Sequence, residues 1–351
     1  MAEPHLPSLV IEGFRGFKKL ELRKLGHVNL LVGKNGVGKS SVLDAVRLYA
    51  SQFSVKVLNE LLDERGDDWL GGDRNALQPL LYGRPAEVPE KASLRIGNQT
   101  VRFVWLIPTV GADGRFAYTE DADGNGNQAL PGISIEENSR VLRQHAFREN
   151  GILTTFFDRD ADHRAAPAIT IGANGLADGE ICKRWDETLQ QGLEDTLTHQ
   201  FRSIRNDATK LHMIQAGGGE RHPYVVLNGL VRPVPLRALG DGLARFLGIT
   251  ISVALASRGF LLIDEFENGL HHSVQEKLWS FVFKVAREMN VQVFATTHSE
   301  DCVRAFAIAA NKDTASLGVM PKLVEHNGQI VAKQLMEEDV LAGAQGLVEM
   351  R

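Results

Sequence analysis

An α/β architecture, a mixed sheet flanked by helices and interrupted by a long central insertion, is predicted by three observations. A glycine-rich loop, Gly33-Lys34-Asn35-Gly36-Val37-Gly38-Lys39-Ser40, sits between an apolar run and a helical pattern. A wholly apolar stretch, Phe260-Leu261-Leu262-Ile263, ends in two acids, Asp264 and Glu265. From about Val225 onward, short apolar runs alternate with amphipathic helical patterns, the order that builds a parallel sheet.

The loop has a glycine, four free positions, Gly-Lys and then Ser, the spacing that cradles phosphate. Gly33, Gly36 and Gly38 let the backbone turn its N–H groups inward, with Asn35 and Ser41 belonging to the same cradle. Lys39 supplies a point charge for the β- and γ-phosphates, and the Ser40 hydroxyl can ligate Mg2+. A nucleoside triphosphate is therefore the expected guest. The loop follows the run Val28–Val32, apolar apart from Asn29, and precedes the helical stretch Ser41-Val42-Leu43-Asp44-Ala45-Val46. That order places a helix start, with its unpaired N–H groups and positive dipole end, against the phosphates.

The other elements follow in chain order. Residues 9–22 alternate about Gly13-Phe14-Arg15-Gly16-Phe17, which predicts two short strands ahead of the loop. Residues 56–92, with Pro79, Pro85 and Pro89, suit loops or short helices, and residues 93–106 read as a hairpin about Gly97-Asn98. Residues 113–127 are rich in Gly, Asp and Asn and are expected to form an exposed loop. Asp121, Asp123 and Asn125 have calcium-loop spacing, but Gly132 stands where the bidentate Glu belongs, so a solvated turn is expected. Asp158, Asp160, Asp162 and His163 run into Arg164-Ala165-Ala166-Pro167 and read as a polar loop rather than a metal cluster.

Residues 183–206 carry helical spacing through Trp185, Leu189, Leu193, Leu197 and Phe201, predicting one amphipathic helix or a pair. No sustained heptad follows, so no long coiled coil is expected. Helices are predicted over 238–257, 271–288 and 302–310, with buried strands over 259–263 and 291–296 between them. Two final strands about His326-Asn327-Gly328 and a C-terminal helix complete the pattern.

Composition narrows the function classes. At 351 residues, 43% hydrophobic and 24% charged, the chain is globular rather than disordered. A net charge of −5 gives no global basic field for nucleic acid, although a local patch is compatible with it. Cys182 and Cys302 show no disulfide, redox or metal-ligand spacing. No run approaches the roughly 18 apolar residues of a membrane span, and residues 1–7 lack a signal-peptide pattern, so a cytoplasmic location without membrane contact is expected.

The acids after Ile263 supply the chemistry that the glycine loop lacks. Asp264 is placed to hold Mg2+ together with Ser40, and Glu265 to orient and polarise an attacking water.

With these motifs in view, the sequence resembles the ABC-type P-loop ATPases of the SMC and OLD-like branch, most closely the small stand-alone bacterial AAA-type ATP-binding proteins. Ile11-Glu12-Gly13-Phe14-Arg15-Gly16-Phe17 is similar to the family's opening strand and turn. Leu239-Gly240-Asp241-Gly242-Leu243-Ala244-Arg245 occupies the place of the ABC signature. Glu267-Asn268-Gly269-Leu270-His271 resembles the D-loop, and Thr296-Thr297-His298-Ser299 the switch histidine. The signature departs from the transporter Leu-Ser-Gly-Gly: its serine is absent and Asp241 adds a negative charge. Gln78 and Gln99 are the candidates for the Q-loop glutamine. The residues after His298 are too few for the Toprim nuclease domain of OLD proteins, so none is expected.

The resemblance implies a P-loop ATPase core of ABC type, formed by 1–55 and 225–351, with 56–224 as an insertion that recognises a partner. It implies a homodimer that sandwiches two ATP molecules. Gly240, Asp241 and Gly242 of each subunit would close on the other's nucleotide, and His298 would sense the γ-phosphate. The output would be control of an effector such as a nuclease or toxin, in the manner of defence-associated ATPases. A DNA-binding repair clamp is the alternative, and cleavage by the central acids a third reading.

Overall fold

Two β-sheets enclose one helix, the helix that follows the glycine loop. The computed structural model describes residues 3–66, 74–89, 91–110, 116–121, 129–147, 153–158, 166–215, 217–312 and 318–335. Asp123 and Asn125 of the expected solvated turn, Asp160, Asp162 and His163 of the expected polar loop, and the expected C-terminal helix after Leu335 lie outside the described residues.

The chain opens with strands β1 (Leu9–Phe14) and β2 (Phe17–Leu22), then β3 (Val28–Val32), the glycine loop and helix α1 (Lys39–Ala50). Helix α2 (Val55–Asp63) and a 3-10 turn at Arg74–Leu80 lead into β4 (Ser93–Ile96), β5 (Gln99–Val110), β6 (Phe116–Asp121), β7 (Leu130–Glu137), β8 (Arg140–Phe147) and β9 (Leu153–Asp158). Next come β10 (Ala168–Ile171), α3 (Asp178–Gln190), α4 (Glu194–Arg202), β11 (Ala208–Gln215), β12 (Arg221–Leu227) and β13 (Val234–Pro235). A 3-10 turn, Leu236–Leu239, precedes α5 (Asp241–Leu255), β14 (Phe260–Ile263), α6 (His272–Glu288), β15 (Gln292–Thr297), α7 (Glu300–Lys312), β16 (Gly318–His326) and β17 (Gln329–Leu335).

Among the described residues these strands form three sheets. The parallel sheet runs β10-β14-β15-β3-β16-β17, with only the edge strand β17 antiparallel. An antiparallel sheet runs β2-β1-β4-β5-β7-β8-β9, with β6 added to the far end of β5. A small sheet, β11-β12-β13, carries α3 and α4. The 56–224 stretch contributes to all three: β4 pairs with β1, and β10 forms the edge of the parallel sheet beside β14.

Burial on both faces explains the apolar strands. One core lies between the two large sheets and joins Ile11, Phe17 and Leu20 to Val42 and Val46 of α1 and to Phe260, Leu262 and Phe294. The second core lies on the other face, under α5, α6 and α7, where Phe266 stacks on Trp279 with ring centroids 3.7 Å apart. Asn29, the polar exception in β3, is fully buried and saturated: its amide donates to Gly26 O and Val293 O and accepts from Gly26 N.

Three segments differ from expectation, the first being Asp158, expected in a polar loop, which instead ends β9, paired in register with Arg143 of β8. Phe116–Asp121 is a strand rather than part of a loop, because β5 runs past the end of β4 and offers its free edge to a second partner. The hairpin β7-β8 went unpredicted; its turn residues Asn138 and Ser139 both take positive φ, 51° and 63°, a geometry better signalled by Asn-Gly.

Candidate nucleotide site

Three parallel strands end at one edge of the sheet. The register pairs Ile263 with Ala295 and Thr297 with Val32, so the residues that follow β14, β15 and β3 emerge side by side. Ligands of open α/β sheets bind outside such carboxyl ends.

The loop after β3 takes its shape from its glycines. Gly38 caps α1 with φ 90°, and a Cβ there would stand 2.7 Å from Cζ of the buried Phe17 ring. No other residue fits without moving that ring. Asn35 and Gly36 are at the exposed tip, while Gly33 is buried. Lys39 is buried in the first turn of α1, and its Nζ donates to Gly33 O (2.7 Å) and Lys34 O (3.0 Å). Burial lowers the Lys39 ammonium below its usual range, against the opposing pull of Asp264, Glu267 and Glu265. The side chain thus sits desolvated over its own loop, within the field of the acids that follow β14. Ser41, one residue further along the helix, is half-buried.

Ser40 and Asp264 meet directly: Ser40 Oγ is 3.0 Å from Asp264 Oδ1 and 2.8 Å from Oδ2. A hydroxyl and a carboxylate converging at the sheet edge are hard oxygen donors of the kind that Mg2+ selects, so the residues present fit that ion. Thr296, at the end of the strand between β14 and β3, donates from Oγ1 to Asp264 Oδ1 (2.6 Å) and accepts from Glu265 N (2.8 Å).

Glu265 has φ 48°, a left-handed conformation rare for a residue with a side chain. Its Oε2 accepts from Asn268 Nδ2 at 2.5 Å. His298 is partly exposed beyond β15 and holds Glu267: its backbone N–H donates to Oε1 at 3.1 Å, and Nδ1 is 3.3 Å from the same oxygen.

The segment 240–242 forms a separate corner. Gly240 is the N-cap of α5 with φ 112°, and no side chain caps that helix start. Gly242 packs against the Gly269 turn so closely that a Cβ would lie 2.2 Å from Gly269 O. The Asp241 carboxylate is paired with Arg237 at 3.0 Å, which offsets its charge at the helix start. Arg237 also reaches Asp178 Oδ1 (2.6 Å) and Leu176 O (2.9 Å).

Neither glutamine candidate reaches the loop. Gln78 donates to Pro85 O, and Gln99 to Tyr49 O at the far end of α1. Sequence reasoning also passed over Thr296, Asn268 and Arg245 as individual site residues. A cation between Ala244 and Phe246 in an otherwise apolar helix was the available signal for Arg245, since such a charge must find buried partners.

Comparisons with known proteins bear on the family and the fold. Residues 168–301 match the family model described as "AAA domain, putative AbiEii toxin, Type IV TA system", and residues 8–57 match a model described as "AAA domain". An ATP/GTP phosphatase of Helicobacter pylori is 37% identical over 340 residues, covering 85% of this chain and 86% of that one. The Septu protein PtuA of Bacillus thuringiensis is 21% identical over 377 residues, covering 99% of this chain and 85% of its own. The uncharacterized protein MJECL10 of Methanocaldococcus jannaschii matches at 35% over 99 residues, and the chain spans only 42% of its length. The crystal structure of an SmcHead bound to the C-winged helix domain of ScpA superposes with a TM-score of 0.54 at 13% identity, covering 95% of this chain and 99% of that one. The fold is thus that of an SMC head, with mixed sheets flanked by helices and no long coiled coil among the described residues.

Proposed function

The chain belongs to the SMC-like, ABC-related branch of AAA ATPases, and from that membership we propose that it hydrolyses Mg2+-bound ATP in a head-to-tail dimer that switches a partner protein. The observation that carries the reading is the Ser40–Asp264 contact. It joins the loop that would hold phosphate to the strand end that would hold metal. When bound, Mg2+ would neutralise charge on the phosphate oxygens, with Ser40 and Asp264 as its protein ligands.

The chain's own groups would do the rest. The loop amides of Gly36 and Gly38 and the Lys39 ammonium would bind the β- and γ-phosphates, with Gly33, Asn35 and Ser41 shaping the cradle. Glu265, held by Asn268, would orient the attacking water. His298 would contact the γ-phosphate from beyond β15. The uncapped helix start at Gly240, Asp241 and Gly242 would receive the nucleotide of the second copy. Binding of ATP across that interface would favour the closed pair, and hydrolysis would release it.

An effector partner is supported by the toxin–antitoxin description of the model that matches 168–301. The test uses the purified 351-residue chain: ATP turnover in Mg2+ against EDTA, mass in solution with and without ATP, and recovery of a co-purifying protein after nuclease treatment. Absence of Mg2+-dependent turnover would refute the reading. Turnover stimulated by DNA, with binding that falls steeply as salt rises, would replace the effector by a DNA clamp.

A further inference from the structure

Arg245 is almost fully buried, and its hydrogen bonds go to main-chain carbonyls rather than to carboxylates. Nη1 donates to Gly172 O (2.6 Å) and Ala173 O (3.4 Å), just past β10. Nη2 donates to Asp264 O (2.7 Å) and Glu265 O (2.8 Å). Burial lowers the guanidinium to about 10, opposed by the fields of Glu267, Asp264 and Glu265. At neutral pH it remains charged, so these are charge-assisted bonds, and a planar fork is the group that can make them in two directions at once.

The peptide it grips is the strained one. Glu265 sits at φ 48°, a left-handed conformation that a residue with a side chain keeps only where surrounding contacts impose it. Thr296 holds the amide side: Oγ1 accepts from Glu265 N and donates to Asp264 Oδ1, and its carbonyl accepts from Phe266 N at 3.0 Å. Arg245 holds the carbonyl side. The two sides differ in where they are anchored. Thr296 belongs to the central sheet, whereas Arg245 stands on α5, three residues after Gly242, in the first turns of the helix whose start would meet the second copy's nucleotide.

We propose that Arg245 is a positioning residue that carries the seating of α5 on the second copy's nucleotide to the Asp264–Glu265 turn of its own chain. The inference rests on the dimeric ATPase reading above. A shift of the α5 start moves the guanidinium, and with it the carbonyls that set the direction of the Asp264 and Glu265 side chains. Each copy would then become fully competent for hydrolysis only when its partner is docked.

The test compares wild type, Arg245→Lys and Arg245→Met by kcat and KM for ATP, fluorescent ATP-analogue affinity, thermal melting, and specific activity against protein concentration. Wild type is expected to gain specific activity with concentration. Both variants are expected to lose that gain and to drop kcat by about tenfold or more, the equivalent of losing a charge-assisted hydrogen bond, with nucleotide affinity within about twofold. Lysine keeps the charge but not the fork, so Arg245→Lys decides the matter even where Arg245→Met does not fold. Unchanged kcat and concentration dependence in Arg245→Lys would overturn the proposal, as would parallel losses of affinity, melting temperature and kcat. A wild type that hydrolyses no ATP would instead refute the ATPase reading itself.

Discussion

Ser40 Oγ lies 2.8 Å from Asp264 Oδ2 across 224 positions of chain. The contact exists because β15 is inserted between β14 and β3 in register, which levels the ends of the three strands. Thr296 from the middle strand completes it by donating to the same carboxylate. A site assembled this way responds to changes in any of its strands.

Replacing Glu265 with Gln removes the carboxylate that would polarise water while keeping a group that Asn268 can reach. Turnover should fall about a hundredfold or more, the usual worth of a positioned general base. ATP-bound dimers should accumulate and be visible as a doubled mass in light scattering. Wild-type turnover in this variant would remove Glu265 from its assigned place.

Ser40→Ala and Asp264→Asn should each weaken Mg2+-dependent ATP binding by about ten- to a hundredfold, the range for losing a bond to a charged group. Because the two side chains contact one another, the double variant should lose less than the product of the single losses. Isothermal titration with and without Mg2+ measures both; strictly additive losses would indicate two independent sites.

Gly38→Ala forces a Cβ onto Phe17 and places alanine at φ 90°. The left-handed backbone alone costs about 1–2 kcal/mol, and displacement of a core ring adds to it. Thermal denaturation should show the loss, together with reduced ATP binding. A variant that melts and binds like wild type would show that the loop tolerates another geometry.

His145 predicts a pH dependence. The ring is fully buried on β8, Nε2 lies 2.8 Å from Phe53 O, and burial pushes its pKa down to about 4. In the unfolded chain an imidazole titrates near 6.5, so as pH falls the unfolded state takes up the proton first. Stability from the neutral ring is complete above about 6.5 and declines until about 4, by roughly 3 kcal/mol. Urea unfolding of wild type against His145→Gln across this window should show a shallower slope in the variant. Parallel slopes would mean that the buried ring does not govern this dependence.

The glycine loop, the apolar strand before Asp264 and the alternating strands and helices after Val225 could all be read from local spacing. Each depends on residues within a few positions of one another, where the backbone period and turn chemistry act directly. The helical spacing over 183–206 is legible for the same reason, but it leaves one helix or a pair open, and the structure has two, α3 and α4, separated by Gly192 at positive φ. Strand β6 and the β7-β8 hairpin escaped because edge pairing and an Asn-Ser turn leave a faint local trace.

Local order thus announced a phosphate loop and a pair of acids, because glycine spacing and apolar runs act through neighbouring residues. Folding decided what those groups touch. That Thr296 supports Asp264, that Arg245 grips the peptide after β14, that Arg237 reaches Asp178, and that Gln99 serves the far end of α1 all follow from sheet order and helix packing. Such contacts join residues 19 to 59 positions apart, and no spacing along the chain encodes them.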